Sequence, residues 1–513
     1  MPPTKKKTEK SKPTSPEATP AEPKLAGADG RAALVVHVVA ELAPFARTGG
    51  LGEAVQTLAQ FQAQAGIDVV TIMPLYREVA NKQPTVRPFG DPFVVPIADR
   101  RESAQLYELI PSGKSGPHAR VLFVANARYF DRDGIYGDAK GDYADNSRRY
   151  AFFSLAALAA IPMLTDGPVV MHAHDWHAAL APVYLHAWFG TNPRFRRVAT
   201  VLSVHNAAFQ GHCPSATLAD LGLPWETYNP HQLEWYGRMN LLKGGMAFAD
   251  AVTTVSPTHA NELRTAGGGF GLQEAFSALG GRFGGITNGI DLKRWDPTVD
   301  KEITATYSTD DLRGKAKDKA SLQRLFGLPI RPRIPLFGMS ARMVYQKGLD
   351  LILGSGFLTL EAQFVFLGAG EPRYERSLKK LARQAPDTIG VQFNFTDRFE
   401  HRLLAGADLC LMPSMYEPCG LTQMRAQRYG TLPLARAVGG LADTIDDGIT
   451  GFLFAEYTSE SFLEGTVRAI RAYQNPDRWA AMQREAMSRD FGWHSAEMKY
   501  RAVYKFALGR RGA

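Results

Sequence analysis

The run Ala33–Leu58, ALVVHVVAELAPFARTGGLGEAVQTL, passes from an apolar strand (34–39) through the Gly49–Gly50 turn into a helix beginning near Leu51. A strand, a turn that lets a ligand approach the backbone, and a helix start with unpaired N–H groups together make an anion-binding unit. Arg47 adds a planar guanidinium suited to phosphate. Neither familiar phosphate loop is spelled here. In Gly50-Leu-Gly52-Glu-Ala-Val55 a valine stands where a dinucleotide fingerprint needs its third glycine, and no Gly-Lys-Ser/Thr closes a Walker loop. Taken alone, the segment reads equally well as a plain strand-to-helix turn.

Working outward, apolar strands recur at 69–73, 121–125, 169–173 and 199–204, with helices near 50–65, 147–163 and 177–189. Continuous apolar strands separated by helices imply a parallel sheet covered on both faces. After the glycine-rich stretch 267–291 the pattern restarts, with strands at 334–340, 362–368, 390–395, 407–413 and 431–435 and helices from about 347, 372 and 421. The expected class is α/β, with two doubly wound, Rossmann-like domains over 31–285 and 286–490 facing a central cleft. A helix over 491–513 is expected to pack back on the first domain. A basic, proline-rich tail over 1–30 is expected to be disordered.

A chain of 513 residues, 45% hydrophobic and 21% charged, is long enough for several cores. Its longest apolar window, 151–164, is too short for a membrane span, and no secretory leader is spelled. Much of the net charge of +8 sits in the N-terminal tail, and no nucleic-acid-binding signature follows it. Cys213, Cys410 and Cys419 suggest neither a disulfide framework nor zinc, which fits a reducing cytoplasm.

The second half adds two further strand-to-helix turns rich in functional groups. SARMVYQKGLD (340–350) carries Arg342 and Lys347, and MYEPCGLTQ (415–423) carries Glu417 before Cys419, Gly420, Leu421 and Thr422. With these in view the chain resembles the bacterial glycogen synthases and plant starch synthases. The motifs RTGGL, HAHDWHAALAPVYL, SVHNAAFQG, ITNGIDLKRWDP, QKGLDLI, PSMYEPCGLTQ and YGTLPLARAVGGLADTI carry that resemblance, in order, over residues 33 to 508.

The resemblance implies a GT-B glucosyltransferase that moves glucose from ADP-glucose to the non-reducing end of glycogen or another α-1,4-glucan, with retention. It places the donor on the second domain and the acceptor on the first. Carried over residue by residue, it makes Glu417, His205, Arg342 and Lys347 catalytic, and Asn288, Cys419, Gly420, Leu421 and Thr422 donor- or phosphate-binding. It assigns Arg47, Gly49 and Gly50 to the donor phosphates, Phe395 to stacking on the base, and Asp175, His177 and Glu53 to the sugar or acceptor side. For Phe395 a core position is the equal alternative. The residue chemistry agrees, because a departing diphosphate needs cations or a metal, and Arg342 with Lys347 supply cations.

No cofactor or metal is expected. Asp131-Arg-Asp133 lies in a polar loop, and the cluster His172-Ala-His174-Asp175-Trp-His177 lacks further ligands. Three positions depart from the family pattern: Arg47 replaces a lysine, Glu53 stands where aspartate is common, and Arg425 where tyrosine is usual. Arg47 leaves UDP-glucose open as the donor. Another GT-B transferase, or a silent glucan-binding relative, are the competing readings.

Overall fold

The computed structural model of the chain describes residues 25–111 and 116–513; most of the expected tail, residues 1–24, lies outside them. Two sheets dominate. The first has nine strands: β1 (Leu34–Val38), β2 (Asp68–Pro74), β3 (Val86–Ile97), β4 (Arg100–Leu109), β5 (Arg120–Ala125), β6 (Val169–His174), β7 (Val198–Val204), β8 (Ala251–Thr254) and β9 (Phe283–Gly285). Their order across the sheet is β9-β8-β7-β6-β1-β2-β5-β4-β3, parallel except at the β3–β4–β5 edge. The second has six: β10 (Leu336–Ser340), β11 (Gln363–Leu367), β12 (Ile389–Gln392), β13 (Leu409–Met412), β14 (Leu432–Arg436) and β15 (Phe452–Phe454), ordered β12-β11-β10-β13-β14-β15 and all parallel.

Among the parallel strands the order switches direction between β1 and β6 in the first sheet and between β10 and β13 in the second, the antiparallel β5-β4-β3 edge turning back separately. Ligands of such sheets bind outside the carboxyl ends of the strands at that reversal. The loops of Arg47, Arg342 and Glu417 leave β1, β10 and β13, the strands that flank the reversals.

The central strands are mostly apolar because both faces are covered, with a few buried polar residues such as His37, His172 and His174 among them. Every residue of β1, β6, β7, β10, β11 and β13 is buried. Helix α1 (Leu51–Gln64) covers one face of the first sheet together with α2 (His494–Arg511), whose Ala496, Tyr500, Tyr504, Ala507 and Leu508 join Val35, Val170 and Val201 in one core. Leu25 is buried in the same core, and the Ala28 amide donates to the Ala513 carbonyl at 2.7 Å. Among the described residues no helix is long and apolar enough to cross a membrane.

Candidate functional site

The turn after β1 is held from beneath by Glu41. Its buried carboxylate accepts the Thr48 amide at 2.6 Å, the Thr48 hydroxyl at 2.8 Å, the Gly49 amide at 3.3 Å and the Tyr136 hydroxyl at 2.5 Å. The Gly49 N–H thus points at a carboxylate of its own domain, whereas the expectation aimed it at phosphate. Glu41 was not singled out from sequence. It sits in an otherwise apolar run, and its donors are two backbone amides of the turn and the hydroxyls of Thr48 and Tyr136.

Across the reversal from β1, whose own His37 joins them, lie the histidines of β6 and of the turns after β6 and β7. Asp175, at the end of β6, has a φ of +56°, a strained conformation for a residue with a side chain. In it, Oδ1 accepts the amides of His205 at 2.6 Å and Asn206 at 3.3 Å, which ties the turn after β7 to β6. Burial pushes the Asp175 carboxyl up to about 7, against the pull of those two amides. His205 projects from the same turn and is half-buried. His177 packs between Tyr136 and Tyr150, with ring centroids 4.6 and 4.8 Å away, and burial lowers its pKa to about 3. His37, His172 and His174 stand close enough together to hold a metal ion. All six of their ring nitrogens are instead hydrogen-bonded to one another or to Gln62, Tyr504, Ser203 and His205. Asp131 and Asp133 jointly clamp Arg77 at 2.7 and 2.8 Å, an exposed ion pair.

On the second domain Lys347 Nζ donates to Glu417 Oε2 at 2.5 Å, and the Ser414 hydroxyl donates to the same oxygen at 2.9 Å. The approach depends on Gly348, whose φ is +75° and whose missing Cβ would meet the Pro413 carbonyl at 1.9 Å. That glycine lets the turn after β10 press against the end of β13, so two loops far apart in sequence share one ion pair. Arg342 is exposed and makes no side-chain hydrogen bond or ion pair with a described residue. The amides of Gly420, Leu421 and Thr422, at the start of the helix Thr422–Arg428, likewise have no partner among the described residues. Cys419 and Asn288 are buried, and burial pushes the Cys419 thiol up to about 12, which makes it inert as a nucleophile.

The two walls meet. A Cβ on Gly50 would lie 3.8 Å from Leu421, so the helix starts of the two domains face each other directly. Arg47 Nη2 donates to Asp397 Oδ1 at 2.5 Å, and Arg294 donates to the other Asp397 oxygen at 2.6 Å. Burial pushes the Asp397 carboxyl up, but the two guanidiniums outweigh it and hold it below its ordinary value. Glu53 and Arg425 pair at 2.6 Å, and Arg425 also reaches Glu400 at 3.2 Å and lies over the Trp295 ring. Farther along, the Gly439 amide donates to Glu262 at 2.9 Å and the Thr258 hydroxyl to Asp443 at 2.6 Å. Phe395 is 42% exposed, which rules out the core alternative; it lines an 890 Å³ cavity with Arg47, Lys293, Arg294, Lys301 and Arg398. Asp300, Glu302 and Asp397 line it as well, so five cations face three carboxylates and the lining keeps a modest positive excess.

Residues 34–278 match the family model described as starch synthase catalytic domain, and residues 326–486 match glycosyl transferases group 1. The chain is 39% identical over 485 residues to glycogen synthase 2 of Geobacter sulfurreducens, covering 93% of this chain and 99% of that one. It is 39% identical to the glycogen synthase of Anaeromyxobacter dehalogenans, covering 93% and 100%. Among solved structures it superposes on the catalytic domain of starch synthase IV from Arabidopsis thaliana, bound to ADP and acarbose, with a TM-score of 0.84, 30% identity and coverage of 93% and 100%. Sucrose-phosphate synthase from Thermosynechococcus elongatus, at 16% identity and a TM-score of 0.59 over 93% and 100%, shares the fold.

Proposed function

Because this chain belongs to the glycogen and starch synthase family, and is therefore a GT-B glucosyltransferase, we propose that it takes glucose from ADP-glucose. The acceptor is the non-reducing end of an α-1,4-glucan, and the anomeric configuration is retained. The observation that carries this reading is the Lys347–Glu417 contact, beside the exposed Arg342, which pairs with no described residue, at the reversal of the second sheet. A diphosphate leaving from that point meets cations that neutralise its growing charge. Asn288 and the amides of Gly420, Leu421 and Thr422 stand on the same side.

The bond from the anomeric carbon to the diphosphate oxygen breaks as the acceptor hydroxyl oxygen bonds to the same face, and the departing phosphate takes the hydroxyl proton. Lys347 and Arg342 stabilise the diphosphate, Glu417 holds Lys347 in place and balances charge at the sugar, and His205 contacts the donor glucose. A double displacement would need a second free carboxylate on the opposite face of the sugar. Asp175, the acid nearest His205, has Oδ1 turned to backbone amides, which supports the single-face route. No metal takes part in this scheme. Phe395 stacks on the base, and Asp175, His177 and Glu53 belong to the acceptor side.

A donor panel with glycogen as acceptor tests the reading, measuring ADP or UDP release and the anomeric NMR signal of the new linkage. ADP release with an α-linked product is expected. Preferential UDP release, which Arg47 leaves open, or a β-linked product would overturn it.

A further inference from the structure

Behind His205 the first domain buries a line of side chains that the scheme above leaves unused. His205 Nε2 meets His174 Nδ1 at 3.0 Å, His174 Nε2 meets His37 Nδ1 at 2.9 Å, and His37 Nε2 meets Gln62 Oε1 at 2.8 Å. Gln62 Nε2 then donates to the Tyr504 hydroxyl at 3.0 Å, on the helix α2 that returns from the far end of the chain. His37, His174, Gln62 and Tyr504 are all fully buried. Burial lowers His37 to about 4 and His205 to about 3, and holds His174 well below its ordinary value. At neutral pH each imidazole in the line therefore carries a single N–H.

A neutral imidazole donates from one nitrogen and accepts at the other, and a carboxamide oxygen can only accept. The polarity of the line follows link by link. With the Gln62 amide oriented so that Nε2 serves Tyr504, its Oε1 requires the proton on His37 Nε2, which leaves His37 Nδ1 an acceptor. His174 must then donate from Nε2 and accept at Nδ1. His205 must donate from Nε2 in its turn, and its Nδ1 is left as a lone pair. No described residue engages that nitrogen, and it is not among the buried polar atoms that lack partners, so it is accessible from solvent at the turn after β7.

We propose that Gln62, His37 and His174 form a tautomer relay that fixes His205 with its Nδ1 lone pair in the cleft, as an obligate acceptor for a hydroxyl of the donor sugar. These three are positioning residues, and Tyr504 anchors the inner end of the relay. The sugar-binding half of the inference rests on the proposed glucosyl transfer; the tautomer half rests on the protein alone. The sequence pattern hides the device, because Gln62 and Tyr504 are 442 positions apart and His37 is one polar residue in an apolar strand.

Solid-state ¹⁵N NMR of the full-length, histidine-labelled protein reads the tautomers directly. His37, His174 and His205 are expected to be protonated on Nε2 and neutral between pH 6 and 8. Gln62→Leu removes the terminal acceptor and is expected to scramble this pattern, while Gln62→Glu keeps an acceptor and restores it. A native His205 protonated on Nδ1, or a pattern untouched by Gln62→Leu, would overturn the relay. In kinetics, Gln62→Leu is expected to lower kcat/KM for the sugar nucleotide about tenfold, the worth of one hydrogen bond. Its affinity for ADP, which has no glucose, should not change, and Gln62→Glu should recover the rate. Equal losses for ADP and donor would mark a merely structural role and overturn the sugar-acceptor assignment. An enzyme inactive on ADP-glucose would count against the proposed donor and leave the NMR result standing.

Discussion

Glu53 and Arg425 form a buried ion pair at 2.6 Å between the first turn of α1 and the helix Thr422–Arg428 of the other domain. Each departs from the pattern of the family that the sequence resembles, and the structure makes the two departures a single feature. Burial pulls the Arg425 guanidinium down, but Glu53 and Glu400 more than offset it and raise its pKa. Trp295, stacked on His401 at 4.0 Å, supplies the aromatic face beneath.

Removing the cation alone should therefore be expensive. Arg425→Leu leaves Glu400 without its guanidinium and Glu53 with only Arg47, 3.9 Å away, and breaking a buried pair in this way costs about 3–5 kcal/mol. Calorimetry should show a clearly lowered melting transition, with part of the loss recovered when Glu53→Gln is added. Additive effects of the two substitutions would show that the pair is not coupled.

Glu417→Ala is expected to lower kcat about 100-fold or more, roughly 3 kcal/mol of transition-state stabilisation, while ADP still binds. Steady-state kinetics beside ADP calorimetry checks it. A variant with near-native kcat would remove Glu417 from the reaction.

Arg47 already spans the cleft to Asp397. Arg47→Ala should reduce turnover far more than ADP affinity, because it weakens the closed arrangement and leaves the second-domain phosphate site intact. Arg47→Lys keeps the charge and should recover much of the rate. Equal losses in ADP affinity and kcat/KM for Arg47→Ala would place the loop in the ground-state site instead.

Acid should destabilise the first domain steeply. Burial depresses His37 to about 4 and His177 and His205 to about 3, with His172 and His174 also held well below normal. Below the ordinary value of 6.5 the unfolded chain takes up protons that the folded chain refuses. Each histidine then removes up to about 1.4 kcal/mol per pH unit until its folded pKa is reached. Asp175 works in the opposite sense, since its value near 7 lets the folded state hold a proton from about pH 7 down to 4. One group opposes five, so urea unfolding should show stability falling between pH 6.5 and 4.5. A flat profile there would refute the buried neutral cluster.

Metal-independent chemistry predicts that saturating EDTA leaves most of the initial rate intact. Loss of activity restored by manganese would sink that proposal.

The two anion-facing turns were legible because glycine, arginine and lysine stand directly after apolar runs, at the ends of strands buried on both faces. The β3–β4 hairpin was not. β3 contains Pro88, Pro92 and Pro96, and it is tolerated as an edge strand with a register shift between Phe89 and Phe93. Phe395 could not be placed from sequence, because an aromatic after a strand looks the same whether it faces a core or a cavity. Glu41 and His37 escaped notice because their partners are backbone amides and distant side chains, and only strand register reveals them: His37 lies directly beside His172 across β1 and β6.

The position of α2 also bears on how the molecule is made. Its residues cover β6, β7 and β8 and seal Gln62 and His172 with Tyr504, yet the ribosome reaches them only after the whole second sheet. At about 5–20 residues per second, the roughly 200 residues between β9 and α2 take about 10–40 s to synthesise. Throughout that interval the nascent first sheet carries Val170, Ala199 and Val201 without the helix that later buries them, and that bare face is where a chaperone has the longest opportunity to bind.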